Sequence, residues 1–386
     1  MNQEKSLNAA RWARRNFLKG TAGFLGGTTL AGTLARAASG SSAEPGRTGF
    51  SLPDQAQART HGLPPLKITE VRVIVTCPGR NYVVVKILTN EPGLYGVGDA
   101  TLNGRELAVA EDLREYIAPL LTGRDPAQIE DIWQSLYLGP YWRGGPVQMT
   151  AQAGIDMALW DIKGKRAGMP VYQLLGGRTR KGALAYGHAD GRDFAEVAES
   201  VQDYMARGYK AVRAQVVIPG LEGTYGTRGP VNPSSVRAEA KGLPSTELFE
   251  AAPYMRTVPK MFEYVRSKVG FDVDLLHDSH ERLRPIEAAR MARDLEPYRL
   301  FFLEDPLRPE YKESFRVIRE HSTTPIAMGE LFNSLWDCVP LIKNQWIDYI
   351  RCDLCHIGGI TGARKVAILA EPFFVRTAWH GPSDVG

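Results

Sequence analysis

The chain has 386 residues, 44% of them hydrophobic, which is enough for a large buried core and for two domains. Its 47 Lys and Arg against 43 Asp and Glu give a formal net charge of +4, and the basic residues are scattered among acids. Because there is no basic stripe with interleaved aromatic side chains, no nucleic-acid partner is expected. Four cysteines are too few for a disulfide framework in a chain of this length.

The first 37 residues have the pattern of a targeting segment. Arg14 and Arg15 stand before "NFLK", a Gly- and Thr-rich apolar stretch follows, and "ARA" at 35–37 fits an A-x-A cleavage site. The stretch is too short and too rich in Gly for a stable membrane span. We predict a twin-arginine signal peptide over 1–37, a linker over 38–65, and a periplasmic or secreted protein. The alternative is a disordered basic arm, with the protein remaining in the cytoplasm.

Residues 66–180 read as strands followed by helices. "ITEVRVIVT", "NYVVVKILT" and "EPGLYGVGDAT" are β-rich runs separated by turns. Helical periodicity then appears in "ELAVAEDLREYIAPLLTG", "DPAQIEDIWQSLY" and "MTAQAGIDMALWDIKGKRAG". This order predicts a small α+β domain.

From residue 181 to 386 the pattern changes to alternating strands and helices. The predicted strands are "ALAYGHA", "YKAVRAQVV", "DVDLLHD", "LFFLED", "PIAMGE", "DYIRCDL" and "FFVRTAWH". Seven strands alternating with amphipathic helices favour a parallel (β/α) barrel over an open sheet. One aperiodic insert, from 219 to about 250, interrupts the pattern, and loops of this length are usually lids or binding loops.

Three of the predicted strands end in acids at a constant interval. Asp278, Glu304 and Glu330 are separated by 26 residues each, which is the length of one strand–helix repeat. The repeat returns the chain to the same end of a barrel, so the three carboxylates are expected to converge on the active face. Clustered carboxylates repel one another unless a hard cation lies among them, and oxygen ligands suit Mg²⁺. Each acid could alternatively cap the helix that follows it.

Basic side chains end the other strands, at His188, Arg213, Arg351 and His380. A metal ion surrounded by such groups suits a carboxylate substrate that loses its α-proton, because the ion stabilises the enediolate charge. Cys352, Cys355 and His356 also spell C-x-x-C-H, a pattern of covalent haem attachment. Since they lie in a strand-like run, small apolar fillers are the preferred interpretation.

At these residues the sequence resembles the enolase superfamily and, within it, the D-mannonate dehydratase branch. The resemblance runs from about Lys67 to the end. It rests on "GHADG", "YKAVRAQ", "LLHDSH", "EPYRLFFLEDP", "TPIAMGE", "IDYIR", "GGITG" and "RTAWHGPSD". It implies an α+β capping domain followed by a (β/α)₇β TIM-like barrel, with Mg²⁺ bound by Asp278, Glu304 and Glu330.

The resemblance also implies roles for individual side chains. Many members of the superfamily use Lys-x-Lys on the second barrel strand, where this chain has Arg213-Ala214-Gln215. In the mannonate branch, an arginine there acts with a tyrosine of the following loop, which would be Tyr225. An adjacent guanidinium favours phenolate, so Tyr225 is expected to remove the C2 proton and His280 to protonate the departing hydroxyl. The residues expected to bind the sugar acid are Asn103, His188, Arg351, His380, Asp384 and Glu330.

Two features depart from the family pattern. The family chain should continue beyond "HGPSD" through an eighth strand, whereas this sequence ends at Gly386, which predicts a barrel incomplete at its C-terminus. Sugar-acid breakdown of this kind is normally cytoplasmic, whereas the leader predicts export.

Together these features predict a Mg²⁺-dependent dehydratase that converts D-mannonate, or a related aldonate such as D-gluconate, to 2-keto-3-deoxy-D-gluconate. A small-molecule sugar acid and further copies of the chain in a homo-oligomer are the expected partners. An epimerase or racemase using the same enediolate is one alternative. The other is an exported sugar-acid binding protein that keeps the metal and has lost turnover.

Overall fold

The computed structural model describes residues 64–218, 221 and 249–381. The predicted leader, the linker up to residue 63, Tyr225 in the long insert, and Asp384 lie outside the described residues. No helix within the described ranges is long and apolar enough to span a membrane.

The capping domain begins with a three-stranded antiparallel sheet of β1 (Ile68–Thr76), β2 (Tyr82–Thr89) and β3 (Tyr95–Asp99), in the order β1-β2-β3. Along β2 the side chains alternate, and Val83, Val85 and Ile87 are fully buried on one face. A strand with period-two burial has one face against a core and the other towards solvent.

Helices cover the buried face of this sheet: α1 (Glu106–Asp112), α2 (Ala118–Leu121), α3 (Ile129–Leu138), α4 (Pro146–Ala167) and α5 (Val171–Leu174). A π-helical turn, Leu113–Ile117, separates α1 from α2, where the sequence predicts one continuous helix. Pro119 at the start of α2 cannot donate the i→i−4 hydrogen bond, so the regular ladder stops before it. Helix α4 lies so close to β3 that a Cβ at Gly96 would meet the backbone carbonyl of Ala158.

The second domain is a seven-stranded parallel sheet. Its strands are β4 (Tyr186–Gly191), β5 (Ala211–Val216), β6 (Asp274–Asp278), β7 (Leu303–Glu304), β8 (Ile326–Met328), β9 (Tyr349–Ile350) and β10 (Arg376–Thr377). They pair in strict chain order from β4 to β10. The connecting helices are α6 (Phe194–Ala206), α7 (Ala251–Val269), α8 (Pro285–Asp294), α9 (Phe315–His321), α10 (Leu335–Lys343) and α11 (Gly359–Ala370). The 3₁₀ turns are Glu296–Tyr298, Pro309–Ser314 and Glu371–Phe373.

The strands bury both of their faces. On the outer face, residues such as Leu275 and Leu303 join the large cluster formed with the surrounding helices. On the inner face, Leu276 and Phe302 belong to a smaller cluster enclosed by the strands. Parallel strands covered on both faces read as continuous apolar runs, which is the pattern that the sequence shows before each strand-end acid.

The fold prediction of an α+β capping domain followed by a (β/α) barrel is confirmed. Several regular strands are shorter than the predicted runs. Backbone hydrogen bonds between neighbouring segments nevertheless continue beyond the strand ends, through loop residues. Asp305 N–H donates to Ala327 C=O at 2.9 Å, and Arg351 N–H donates to Met328 C=O at 2.8 Å. These bonds fix the residues that follow each strand, where the site lies.

Candidate metal and proton-transfer site

The predicted metal-binding acids lie at the carboxyl ends of three neighbouring strands. Asp278 is the last residue of β6, Glu304 is the last residue of β7, and the two are direct register partners. Leu276 and Phe302, two residues earlier on these strands, belong to the inner cluster. Since side chains alternate along a strand, the acids continue the inner row above that cluster. Both acids are buried.

Glu330 follows β8 after a glycine. Gly329 has φ +140°, and a Cβ there would come within 3.1 Å of the backbone nitrogens of Arg351 and Cys352. Only glycine allows both this conformation and this close approach to the next strand. The local sequence "MGE" therefore lets the chain turn at the end of β8 and present Glu330 beside the acids of β6 and β7.

Asp278 is held by groups from both sides. Its Oδ2 is 3.0 Å from Arg213 Nη1, and its Oδ1 accepts a 2.7 Å hydrogen bond from the backbone N–H of His280. Burial alone would raise the pKa of Asp278, but the charges of His280 and Arg213 hold it below the usual value. Arg213 Nη2 also lies 3.2 Å from Nδ1 of His188. Burial and the Arg213 charge lower the pKa of His188 to about 4, so this imidazole is neutral near pH 7.

Glu304 forms a buried ion pair. Its Oε1 lies 2.6 Å from Nη2 of Arg351, and the side chains of both residues are 1% exposed. The hydroxyl of Tyr186 donates to Oε2 at 3.5 Å. Burial raises the pKa of Glu304 to about 7 although Arg351 opposes it, and Asp278 and Glu330 add to the increase. The carboxylates at these strand ends thus repel one another even with arginines present.

Glu330 lies between two imidazoles. His280 Nε2 is 3.7 Å from its Oε1, and His380 Nε2 is 3.3 Å from its Oε2. His280 has the left-handed φ of 46°, an uncommon conformation for a residue with a side chain, in the turn that follows β6. The turn places its imidazole, 33% exposed, over the acidic group. Two imidazoles therefore flank one carboxylate.

His380 is oriented by a buried aspartate. Its Nδ1 lies 2.7 Å from Oδ2 of Asp353, and the two residues form an isolated parallel bridge just beyond β9 and β10. Burial would lower the pKa of His380, but the hydrogen bond to Asp353 and the charge of Glu330 raise it. An imidazole held at Nδ1 by a carboxylate presents Nε2 for proton transfer.

The group of acids best placed to share an ion contains a residue that the sequence analysis did not select. One oxygen each from Glu304, Asp305 and Glu330 lie within 4.8 Å of one another. Asp305 is fully buried, and among the described residues neither of its carboxylate oxygens has a hydrogen-bond partner. An all-oxygen, strongly acidic set with an uncompensated carboxylate fits a hard divalent cation such as Mg²⁺. Asp278 adjoins this group, with both oxygens engaged by Arg213 and His280.

The other predicted residues are placed as follows. Asn103 lies in an exposed loop after β3, and its side-chain oxygen accepts a 3.0 Å hydrogen bond from Arg80 Nη1. Its predicted contact with the sugar acid stays a prediction. Tyr225 and Asp384 are outside the described residues, so their assigned roles stay predictions too. The C-x-x-C-H cysteines are fully buried, and Nδ1 of His356 contacts the Thr150 hydroxyl at 2.9 Å, which fits the apolar-filler interpretation.

Three site residues were missed by the sequence analysis: Asp305, Asp353 and Tyr186. Asp305 directly follows Glu304 in "LEDP", so the strand-end rule that selected Glu304 applies to it almost equally. Asp353 lies two residues after Arg351 inside the C-x-x-C-H run, which drew attention to its cysteines instead. Tyr186 carried no pattern beyond its strand, because only the assembled barrel shows that its hydroxyl reaches Glu304.

Fold and site together define a class: two-domain barrel enzymes whose strand-end carboxylates hold a divalent ion. The family models agree, since residues 59–176 match the mandelate racemase / muconate lactonizing enzyme N-terminal domain and residues 196–386 match the enolase C-terminal domain-like model. The chain belongs to the mandelate racemase/muconate lactonizing enzyme family of the enolase superfamily.

Several relatives are closely similar. A D-mannonate dehydratase of Sphingomonas sp. (strain SKA58) is 53% identical over 319 residues, covering 83% of this chain and 78% of the relative. The D-galactonate dehydratase family member RspA of Cellvibrio japonicus is 53% identical over 320 residues, covering 83% and 79%. A crystal structure of an enolase from Pantoea ananatis, with bound D-gluconate and Mg, is 48% identical with a TM-score of 0.75, covering 83% and 79%.

These relatives confirm the prediction of an enzyme of the hydro-lyase type, since several are named as dehydratases. The Mg²⁺ prediction is confirmed at the level of the family, because a related structure holds Mg and this chain presents an acidic group suited to it.

Proposed function

We propose that this protein is a Mg²⁺-dependent dehydratase that converts D-mannonate, or a near relative such as D-gluconate, to 2-keto-3-deoxy-D-gluconate and water. The observation that carries the proposal is the meeting of strand-end carboxylates with the imidazoles of His280 and His380 at one end of the barrel. Relatives named for D-mannonate and D-galactonate dehydration, and one that binds D-gluconate, support the substrate class.

Asp278, Glu304 and Glu330 are the residues that would hold Mg²⁺. When bound, the ion supplies positive charge for the substrate carboxylate and for the negative charge that develops as the C2 proton leaves. The protein contributes two buried guanidinium groups beside these acids, Arg213 and Arg351. Each is paired with a carboxylate and is therefore held in place before a substrate arrives.

Removal of the C2 proton is assigned to Tyr225. Arg213, the third of the six residues of β5 rather than its last, is the cation proposed to favour the phenolate, since β5 is the strand that precedes the insert carrying Tyr225. Arg213 is 8% exposed, and its guanidinium is hydrogen-bonded to Asp278 and His188, so its position is fixed. A tyrosine with its ordinary pKa near 10 would be mostly protonated at neutral pH, which makes this neighbouring charge necessary.

Protonation of the departing 3-hydroxyl is assigned to His280. Hydroxide is a poor leaving group, so a proton must reach the oxygen as the C3–O bond breaks. The electron pair of the C2–H bond then forms the C2–C3 double bond, water leaves, and the resulting enol becomes the 2-keto acid. His280 is suited to this step because its backbone N–H is hydrogen-bonded to Asp278, while its ring is 33% exposed and lies beside Glu330.

Substrate hydroxyl groups are proposed to contact Asn103, His188, Arg351, His380 and Asp384. The support for His188 is its neutral imidazole near pH 7, which can both donate and accept a hydrogen bond. In the structure Arg351 is ion-paired with Glu304. A contact between Arg351 and the substrate would therefore be made beside that carboxylate.

The test is turnover by metal-free protein supplied with Mg²⁺ and a panel of aldonic acids, with the keto acid detected by a ketone-specific reagent. We expect product from D-mannonate or D-gluconate, loss of turnover on chelation, and recovery on Mg²⁺ addition. Failure to form a keto acid from any aldonate would defeat the proposal.

One observation favours a second candidate, a C2 epimerase. The Asp353–His380 pair supplies another imidazole that can carry a proton to or from C2, next to Glu330. Reaction in D₂O distinguishes the two activities: deuterium entering C2 of unreacted substrate without a keto-acid product indicates epimerisation, and a keto acid indicates dehydration.

We propose in addition that Arg14 and Arg15 direct export of the folded protein through the twin-arginine route. Cell fractionation of the protein and of its Arg14→Lys, Arg15→Lys double variant tests this, with periplasmic protein expected only from the former. We also propose a homo-oligomer, supported by the exposed Tyr141 and Trp142 on the capping domain. Analytical ultracentrifugation tests it, and a monomer at micromolar concentration would contradict it.

A further inference from the structure

A buried set of polar side chains lies on the outer face of the barrel, behind the turn that follows β6. His277, on β6, alternates with the inward-facing Asp278 and is 1% exposed. Its Nδ1 is 2.8 Å from Ala214 C=O on β5, and its Nε2 is 2.6 Å from the hydroxyl of Tyr254. A carbonyl can only accept, so Nδ1 carries the proton of the neutral ring and the tyrosine hydroxyl donates to Nε2. The position of that hydroxyl is therefore set by both strands.

Tyr254 connects this set to the turn after β6. It is the fourth residue of α7 and 1% exposed, and its hydroxyl oxygen is also 3.3 Å from Oγ of Ser279. Ser279 is 1% exposed and stands between Asp278 and His280. Its backbone N–H donates to Glu304 C=O at 2.9 Å. Tyr254 thus links α7 to the residue that precedes His280.

The turn that Ser279 begins has an unfavourable backbone conformation. His280 and Glu281 have φ values of 46° and 65°, so two consecutive residues lie in the left-handed region. Residues with a side chain adopt this conformation at a cost in free energy and keep it only where their surroundings fix them. On one side of His280, Glu281 N–H donates to Asp305 C=O at 2.7 Å. On the other side, Ser279 is held through its side chain by Tyr254.

We propose that Tyr254 is a positioning residue for the step assigned to His280. Its hydroxyl is fixed by His277, holds Ser279 in place and through it orients the imidazole that follows. The inference deepens the proposed function and rests on it for the role of His280 as the acid. It places a determinant of that ring's orientation on the outer face of the barrel, behind the residues assigned to the metal ion and the substrate.

The test uses Tyr254→Phe and Ser279→Ala in the full chain, which remove the two hydroxyl groups of the contact one at a time. Ser279→Ala leaves the bond between Tyr254 and His277 intact, so it decides the question if Tyr254→Phe destabilises the fold. Tyr264→Phe is the matched control. Tyr264 lies ten residues later on the same helix, and its ring centroid is 6.2 Å from that of Phe194 on α6.

Steady-state kinetics are measured with the aldonate that reacts and with its 3-deoxy-3-fluoro analogue. In both reactions the electron pair of the C2–H bond forms the C2–C3 double bond, and the group on C3 leaves with its own bonding pair. Fluoride, however, leaves without the proton that hydroxide requires. For the natural aldonate we expect kcat to fall about 10-fold or more in both variants, with KM within about twofold. With the fluoro analogue kcat should stay within about twofold, and Tyr264→Phe should change neither reaction.

A second readout needs no substrate. Long-range ¹H–¹⁵N spectra of protein labelled with ¹⁵N-histidine report on each imidazole, and the His280→Asn variant assigns the signals of that ring. We expect the His280 signals to shift or broaden in Tyr254→Phe and in Ser279→Ala, because the turn loses a contact that fixes it, and to stay unchanged in Tyr264→Phe. Unchanged His280 signals in the folded variants would overturn the proposal. So would a kcat for the natural aldonate that falls less than about threefold, or that falls equally with the fluoro analogue.

The two readouts separate this inference from the proposed function. If aldonates form a keto acid but the variants keep the kcat of the unchanged protein, the positioning role fails and the function stands. If no aldonate reacts while the His280 signals change in the two variants and not in the control, the function fails and the orientation of the ring by Tyr254 stands.

Discussion

Two buried acids in different parts of the molecule show how differently a carboxylate can be accommodated. Asp156, in the middle of α4 in the capping domain, accepts a 2.9 Å hydrogen bond from Thr361 N–H near the start of α11. Its Oδ2 therefore lies where a backbone donor and the helix dipole favour a carboxylate, whereas its Oδ1 has no hydrogen-bond partner among the described residues. Asp305 at the barrel's strand ends has no such donors among the described residues.

The surroundings of the two acids differ in the same way. Around Asp156, Trp133 Nε1–H donates to Gly358 C=O and Trp160 Nε1–H donates to the Thr361 hydroxyl, so polar groups of the two domains satisfy one another. At the strand ends several carboxyl groups lie close together, and the neighbouring arginines do not balance all of their negative charge. The acid in the capping domain is bonded through one oxygen to the barrel domain, whereas the surplus of acids at the strand ends indicates an ion from outside.

Replacing His280 by Asn should have the largest effect on turnover. If this ring supplies the proton to the departing hydroxyl, kcat/KM for the best aldonate should fall about 100- to 10,000-fold. The melting temperature should change little, because the ring is 33% exposed and lies at the strand ends of the barrel rather than in the core. Steady-state kinetics with calorimetric melting checks both. A fall below fivefold would contradict the role of His280.

Replacing Arg351 by Met tests the buried ion pair of the site. It leaves Glu304 buried beside other carboxylates without its guanidinium partner, and breaking such a pair destabilises a protein by about 3–5 kcal/mol. Chemical denaturation with a chelator present measures this. Added Mg²⁺ should recover part of the loss, because the ion replaces the missing positive charge. A loss below about 1 kcal/mol would show that the acids do not repel as described.

Replacing Asp156 by Asn tests the buried acid of the capping domain. Burial raises the pKa of Asp156 to about 7, from an ordinary value of 3.8. The unfolded chain therefore loses this proton at lower pH than the folded protein, and stability is lost as the pH rises from about 4 to 7. Asparagine cannot ionise, so the variant should become more stable relative to the unchanged protein as the pH rises over that range.

At pH 8 the gain should reach about 2–4 kcal/mol, whereas at pH 4 the two proteins should differ little. Denaturant melts at pH 4, 6 and 8 measure the difference. A difference that does not depend on pH would contradict the account of Asp156.

The smallest effect is expected at Trp133. Trp133→Phe removes the donor of the 2.8 Å bond to Gly358 and leaves a buried carbonyl unsatisfied, for a loss of about 1–2 kcal/mol. Trp142→Phe is the matched control, since Trp142 is 88% exposed and should shift stability by less than about 0.5 kcal/mol. Equal effects at the two positions would remove the claim that this bond joins the domains.

The barrel was predictable from the sequence because apolar runs and helical periods record burial directly. The constant interval from Asp278 to Glu330 was sufficient to place the acids at one end of the barrel. Side-chain partners were not predictable, since they depend on which strands become neighbours and on local turns. Asp353 is functional in this account only because β9 and β10 pair, which brings His380 to within 2.7 Å of it. Asp305 matters because it is buried without a partner, a property that sequence alone does not show.

The most direct test of the account is a calorimetric titration of metal-free protein with Mg²⁺, repeated with the Glu304→Gln, Glu330→Gln double variant. We predict one ion per chain in the unchanged protein, no measurable binding in the double variant, and D-mannonate or D-gluconate binding only when Mg²⁺ is present. Mg²⁺ binding of equal strength in the double variant, or no Mg²⁺ binding in the unchanged protein, would contradict the claim that the barrel's strand-end acids form one metal site.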